Sequence, residues 1–154
     1  MSVLRRILFV GIGNMGWPMA ARPLGAGFDV AVNDAVPGRA ADFVRQVGGA
    51  EAADLAAAAA SAEIIITMLP TSGHVGDAVA ALRAGLKRDH IVIDMSSGAP
   101  AATQAIAADI APLGVIMLDA PVSGGVPRAV TGELAIMAGG DAAALDRVEP
   151  VLRA

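Results

Sequence analysis

Hydrophobic positions gather into six short runs separated by longer mixed segments. The runs are Ile7–Val10, Val30–Val32, Ile64–Leu69, Ile91–Ile93, Val115–Leu118 and Leu134–Met137. Each consists of β-branched or long-chain side chains with almost no polar interruption, the pattern of a strand buried on both faces. Between the runs lie Ala- and Leu-rich segments of helical composition, at 15–26, 39–47, 51–62, 75–84, 101–111 and 141–153. The apolar face of 51–62 is poorly defined, but its alanine run at 56–60 suits a helix. Pro18 falls in a first helical turn, where its missing N–H costs little, whereas Pro23 either kinks the same helix or ends it early. Gly85 reads as a helix C-cap. Strand alternating with helix predicts a parallel sheet covered on both faces, with right-handed crossovers. No repeat and no linker composition interrupts the pattern, so residues 1–154 read as one domain.

Composition narrows the chemistry. Hydrophobic residues make up 55% and charged residues 17%, which excludes a disordered tail. The formal net charge of −4 argues against nucleic acid and against an anionic membrane surface as partners. There is no Cys, hence no disulfide, thiolate metal site or cysteine nucleophile. His74 and His90 stand apart from other ligand types, so no metal site is expected; both read as surface residues. Mean hydropathy is high, +0.62, yet no apolar run approaches the roughly 18 residues that span a bilayer. Arg5–Val10 imitates the start of a signal peptide, but Gly11, Gly13 and Asn14 break it too early, and a cytoplasmic protein is expected.

The strongest motif follows the first run. Gly11-Ile12-Gly13-Asn14-Met15-Gly16 is G-x-G-x-x-G between a strand and a helix. Gly11 allows the sharp turn, Gly13 allows a pyrophosphate to approach the backbone, and Gly16 allows close packing of helix on strand. The helix N-terminus offers free N–H groups to the phosphates. Asp34, at the end of the second run and 18 residues after Gly16, is placed to accept hydrogen bonds from the adenosine ribose of NAD and to repel the 2′-phosphate of NADP. Arg39 is near enough to bind that phosphate if Asp34 turns away, so NADP is the lesser alternative. The fold class predicted is α/β: a Rossmann-type, doubly wound, mainly parallel sheet.

Gly11–Ala20 goes beyond the general fingerprint and resembles the opening of the 3-hydroxyisobutyrate dehydrogenase family, the β-hydroxyacid dehydrogenases, which include tartronate semialdehyde reductases. Three further segments are similar to that family: Thr67-Met68-Leu69-Pro70, Asp94-Met95-Ser96-Ser97 and Asp119-Ala120-Pro121-Val122-Ser123-Gly124-Gly125, continued by Gly132, Met137 and Gly139-Gly140. The resemblance implies that Leu69 and Pro70 pack against the cofactor and that Ser96 lies near the nicotinamide ribose. It also implies that Ser123, Gly124 and Gly125 hold the substrate carboxylate. On residue pattern alone, Ser96 and Ser97 are equally good N-caps for the helix at 101–111. Arg128 is near enough to Ser123 to join acid binding, and Asp119 to brace the turn.

Family members move a hydride between a nicotinamide cofactor and a small 3-hydroxy acid, of the 3-hydroxyisobutyrate or 2-hydroxy-3-oxopropionate type. A lysine in a G-x-x-G-x-G-x-x-x-K pattern serves as general acid/base. This sequence has no such pattern: the expected lysine, the last strands and a helical second domain lie beyond residue 154. Lys87, the sole lysine, belongs to a polar turn at the amino end of a strand, the wrong edge of the sheet. No catalytic residue is therefore assigned, and these 154 residues are expected to be inactive alone, with an exposed sheet edge. Homo-oligomers are expected of the full length. The alternatives are a non-catalytic dinucleotide-binding sensor or regulatory module, and another reductase on the same scaffold, such as an imine reductase.

Overall fold

The computed structural model describes residues 3–154. Six strands form one parallel sheet in the order β3-β2-β1-β4-β5-β6: β1 Arg6–Val10, β2 Asp29–Asn33, β3 Ala50–Glu51, β4 Ile64–Thr67, β5 Ile91–Asp94 and β6 Ile116–Asp119. The direction of winding reverses between β1 and β4, which pair from Ile7↔Ile64 to Val10↔Thr67. In open α/β sheets that reversal leaves a crevice at the carboxyl ends of the strands, where ligands bind.

Alternate residues of the strands feed two separate cores. Ile7, Phe9, Ile64, Ile66, Ile91, Ile93 and Leu118 face one side. There they meet α1 Gly16–Gly25, α2 Arg39–Gln46 and α7 Ala142–Leu152. Leu8, Val10, Ile65 and Val92 face the other, against α3 Leu55–Ser61, α4 Ser72–Leu82 and α5 Pro100–Ile110. The central strands are buried residue by residue, as their unbroken apolar runs require.

Four expectations need correction. Segment 51–62 is not one helix: Ala50–Glu51 forms the edge strand β3, and α3 begins only after Asp54, whose carboxylate caps the Ala57 N–H. Leu134–Met137 is not a doubly buried strand. Within it β8, Ala135–Ile136, pairs antiparallel with β7, Val122–Ser123, around the short helix α6, Gly125–Thr131. Leu134 and Ile136 pack on the core while Met137 is 56% exposed, so the run alternates as a half-buried strand does. Gly85 is not a C-cap. It ends a 3-10 turn pressed against α3, where a Cβ would meet the Ala56 carbonyl oxygen at 1.8 Å. His90 is not a surface residue but 3% exposed at the amino edge of β5. The open alternative at Pro23 resolves as a helix that runs through the proline to Gly25.

No helix among the described residues is long and apolar enough to cross a membrane.

Candidate functional site

The glycine turn sits in the crevice between β1 and β4. Gly11 has φ +96°, donates its N–H to the Asn33 carbonyl at 2.9 Å, and lies so close to the next strand exit that a Cβ would meet the Met68 oxygen at 2.3 Å. A Cβ on Gly16 would meet the Gly11 oxygen at 1.9 Å. Both glycines are thus dictated by the chain's own packing. Gly13 differs: around a Cβ there the nearest atom is Nη1 of Arg39, 4.0 Å away. Nothing within the chain requires a glycine at 13, and the space a side chain would fill is the space a pyrophosphate would occupy.

Helix α1 follows with no side-chain cap at Met15. By contrast, Asp54, Thr71 and Asp141 cap α3, α4 and α7 with side-chain oxygens. In the first turn of α1 the Trp17 N–H already donates to the Gly13 carbonyl at 2.9 Å and the Met19 N–H to the Met15 carbonyl at 3.3 Å, and Pro18 has no N–H. The N–H groups left for an external anion are those of the glycine turn itself, Gly13 to Gly16. Residues and fold therefore fit a dinucleotide here. Trp17, next to the turn, packs edge-on against Phe43 with ring centroids 5.1 Å apart, a packing role.

Asp34 lies beside the turn as the fingerprint anticipates, but it is already engaged. Its Oδ2 accepts the Ile12 N–H at 2.9 Å; its Oδ1 accepts the Val36 N–H at 2.8 Å and Nη1 of Arg39 at 3.2 Å. The Asp34 side chain is 7% exposed and the Arg39 side chain 38%. The carboxylate thus ties the glycine turn to the exit of β2 before any ligand arrives.

The exits of β4, β5 and β6 form the other half of the crevice. Thr67, Asp94 and Asp119 share one row of the sheet and therefore one face. Oδ1 of buried Asp94 accepts the Thr67 hydroxyl and the Ser96 N–H, each at 3.0 Å. The Ser96 hydroxyl in turn accepts the Leu69 N–H at 2.8 Å. Ser96 is 1% exposed, and its oxygen holds the Leu69–Pro70 loop. The exposed hydroxyl of this exit belongs to Ser97. Neither serine caps α5, whose N-cap is Ala99 without a side-chain bond. The network was missed from sequence, although Thr67, the one polar residue of β4, and the Asp94–Ser96 spacing carried its signal.

Pro70, Thr71, Ser96, Ser97, Asp119 and Pro121 line a cavity of 570 Å³ over these exits. Burial, reinforced by the charge of Asp94, raises the Asp119 carboxyl above its ordinary value. Ser123, Gly124 and Gly125 lie beyond β6, all exposed. Gly124 and Gly125 have φ +139° and +70°, a conformation closed to most side chains. Arg128 folds back onto Gly124, its Cδ 2.8 Å from where a Cβ would stand. His74 accepts or donates a hydrogen bond with the Thr71 hydroxyl at 2.7 Å and stays exposed. Lys87 lies at the opposite edge, with Nζ donating to the Ala60 carbonyl at 2.8 Å.

Residues 6–154 match the family described as the NAD binding domain of 6-phosphogluconate dehydrogenase. The chain is 42% identical to a 3-hydroxyisobutyrate dehydrogenase of Pseudomonas aeruginosa in an alignment that covers 95% of this chain and 50% of that protein. It is 38% identical to an NAD-dependent L-serine dehydrogenase of the same organism, over 98% of this chain and 51% of the relative. The solved structure of Mycobacterium tuberculosis 3-hydroxyisobutyrate dehydrogenase with L-serine superposes with a TM-score of 0.91 at 38% identity, covering 99% of this chain and 52% of that one. The chain spans about half the length of these relatives. Glycine turn, strand order and these likenesses agree: the chain belongs to this NAD-binding-domain family, as the nucleotide-binding domain found in the 3-hydroxyisobutyrate dehydrogenases.

Proposed function

We propose that the chain is the coenzyme-binding part of a dehydrogenase that moves a hydride between NAD and a small 3-hydroxy acid. The observation that carries the reading is Gly13: a glycine with open space in front of it, at the uncapped start of α1 and beside Asp34.

The N–H groups of the glycine turn, Gly13 to Gly16, at the positive end of α1, would hold the pyrophosphate. Asp34 accepts one bond on Oδ2 and two on Oδ1, so Oδ2 keeps a lone pair to accept a ribose hydroxyl, which favours NAD over NADP. The Leu69–Pro70 loop, fixed by Ser96, would wall the nicotinamide end, with Ser97 presenting its hydroxyl there. When bound, the nicotinamide accepts or delivers the hydride. The N–H groups of Gly124 and Gly125 and the Ser123 hydroxyl would hold the acid's carboxylate. Serine and 3-hydroxyisobutyrate share a primary alcohol one carbon removed from the carbon bearing the carboxylate, so one carboxylate site places the oxidisable carbon of either.

Proton transfer needs a base near that alcohol. The sole lysine of the sequence lies at the wrong edge, so these 154 residues bind the coenzyme without turning it over. The test is a titration with NADH and NADPH followed by Trp17 fluorescence and calorimetry, then NAD reduction with L-serine and 3-hydroxyisobutyrate. Saturable binding with no turnover is the expected result. Turnover near about one per second, an ordinary enzymatic rate, would overturn the assignment of the base to residues outside this chain.

A further inference from the structure

We propose that Asp119 holds the reacting end of the coenzyme: its carboxylate accepts an N–H of the nicotinamide carboxamide and fixes how the ring lies before the acid site. The proposal rests on the dinucleotide reading above and deepens it.

The row of Thr67, Asp94 and Asp119 sets three polar side chains on one face of the sheet at its carboxyl edge. Two of them satisfy each other. The Thr67 hydroxyl donates to Oδ1 of Asp94, which also accepts the Ser96 N–H. Asp119 is left over. Among the described residues no hydrogen-bond donor settles its carboxylate, and burial with the charge of Asp94 raises it above its ordinary value. A half-buried carboxylate without donors is costly until something supplies them. The backbone gives it no escape. The Asp119 N–H donates to the Gly139 carbonyl at 3.0 Å, its carbonyl accepts the Gly139 N–H at 2.7 Å, and the Ala120 N–H donates to the Asp94 carbonyl at 2.8 Å. The strand end is bonded on both sides, so the acceptor is in place before a ligand arrives.

Its position selects the ligand group. Asp119 lines the 570 Å³ cavity together with Pro70, Ser97 and Pro121. Pro70 belongs to the loop that walls the nicotinamide end, and Pro121 leads within two residues to Ser123 of the acid site. The hydride carbon of the ring must face the acid, so the ring has to lie where these two segments meet. The carboxamide is the ring's hydrogen-bonding substituent and stands on the carbon next to the hydride carbon. It brings the N–H donors that Asp119 lacks. A carboxylate only accepts, so it selects the carboxamide nitrogen over the oxygen. Turning the ring over about its bond to the ribose carries the carboxamide to the opposite side. Holding it at Asp119 therefore presents one face of the ring to the acid. The Ser97 hydroxyl, exposed in the same cavity, is left for the nicotinamide ribose.

The experiment measures dissociation constants of three ligands: NADH, its reduced 3-acetylpyridine analogue, whose methyl ketone has no N–H, and ADP-ribose, which has no ring. The proteins are the native chain, Asp119→Leu and Asp119→Asn, with thermal melts to confirm folding. The native chain is expected to bind NADH about tenfold or more tighter than the ketone analogue. Asp119→Leu is expected to weaken NADH by about tenfold or more, to close that gap, and to leave ADP-ribose within about threefold. Asp119→Asn is expected to fall between, since its amide oxygen still accepts but carries no charge. A native chain that binds NADH and the ketone analogue alike would overturn the proposal, whether or not Asp119→Leu folds. Equal loss of NADH and ADP-ribose in Asp119→Leu would make the carboxylate a ribose acceptor or a prop of the fold, and overturn it too. So would undiminished NADH binding by that variant. A folded native chain that binds neither NADH nor ADP-ribose overturns the dinucleotide reading itself, and this proposal with it.

Discussion

Three glycines of one motif answer to three different demands. Gly11 is held by its positive φ and by the Met68 carbonyl, Gly16 by the Gly11 carbonyl, and Gly13 by neither. Gly11→Ala must both strain the backbone and push a strand exit away, and is expected to cost about 3 kcal/mol or more of unfolding free energy. In a domain of this size that is a loss of about 6–12 °C in Tm. Gly13→Ala should leave the Tm within about 2 °C, since its Cβ enters open space, and yet weaken NADH by about tenfold or more. A Gly13→Ala chain that binds NADH normally would remove the pyrophosphate from that position. The motif and its ligand were legible in the sequence because strand, turn and helix leave little choice of where the glycines lie. What the sequence concealed was the state of Asp34: the spacing located the acid but could not show that Ile12, Val36 and Arg39 already surround it.

At the level of elements, the strands that were readable are those buried on both faces, where side chain and burial agree at every position. β3 was hidden because its two residues, Ala50 and Glu51, are exposed and carry no strand signal. The hairpin of β7 and β8 was hidden because Ala and Met count as apolar, so a half-buried alternation looked like a continuous run. The serine pair after β5 shows the same limit at the site. Two adjacent hydroxyls are interchangeable in a sequence, and only the bend of the chain after β5 turns one inward and one outward. Ser96→Ala removes the acceptor of the Leu69 N–H, and is expected to lower stability by about 1–2 kcal/mol and to weaken NADH binding through the loosened loop. Ser97→Ala is expected to leave the Tm unchanged. Equal Tm loss from both substitutions would show that the hydroxyl of Ser96 is not the strut between the two exits.

Over the whole molecule the sheet has two unlike edges. The glycine turn, Asp34 and the Thr67–Asp94–Ser96 network gather at the carboxyl edge, whereas the amino edge carries two groups that tie stability to pH. Burial, with the charge of Lys87, lowers the pKa of His90 below 6.5 against the opposing pull of the Ala62 carbonyl and Glu63, and its Nδ1 accepts the Lys87 N–H at 3.3 Å. The fold therefore prefers the neutral ring. Its contribution is complete above the ordinary value and drains as pH falls below it, at up to about 1.4 kcal/mol per pH unit. Glu63 follows at lower pH. Burial would raise its carboxyl, but the N–H groups of Arg5 and Arg6 and the Arg6 charge prevail and hold it below 4.5. Denaturant titrations between pH 7.5 and pH 5, about the range over which histidine charges, should show falling stability in the native chain and a flatter profile in His90→Leu. Identical slopes would mean that the ring escapes its pocket on protonation.

The pairing of Ile7 with Ile64 has a further consequence, for how the molecule is made. Of the six strands of this sheet, central β1 leaves the ribosome before the others, and one of its two neighbours comes 57 residues later. Until Met68 emerges, the glycine turn lacks the carbonyl that closes it. The nascent chain must therefore carry this apolar strand half-covered through much of translation, and slow elongation before β4 would lengthen its exposure to chaperones and to aggregation.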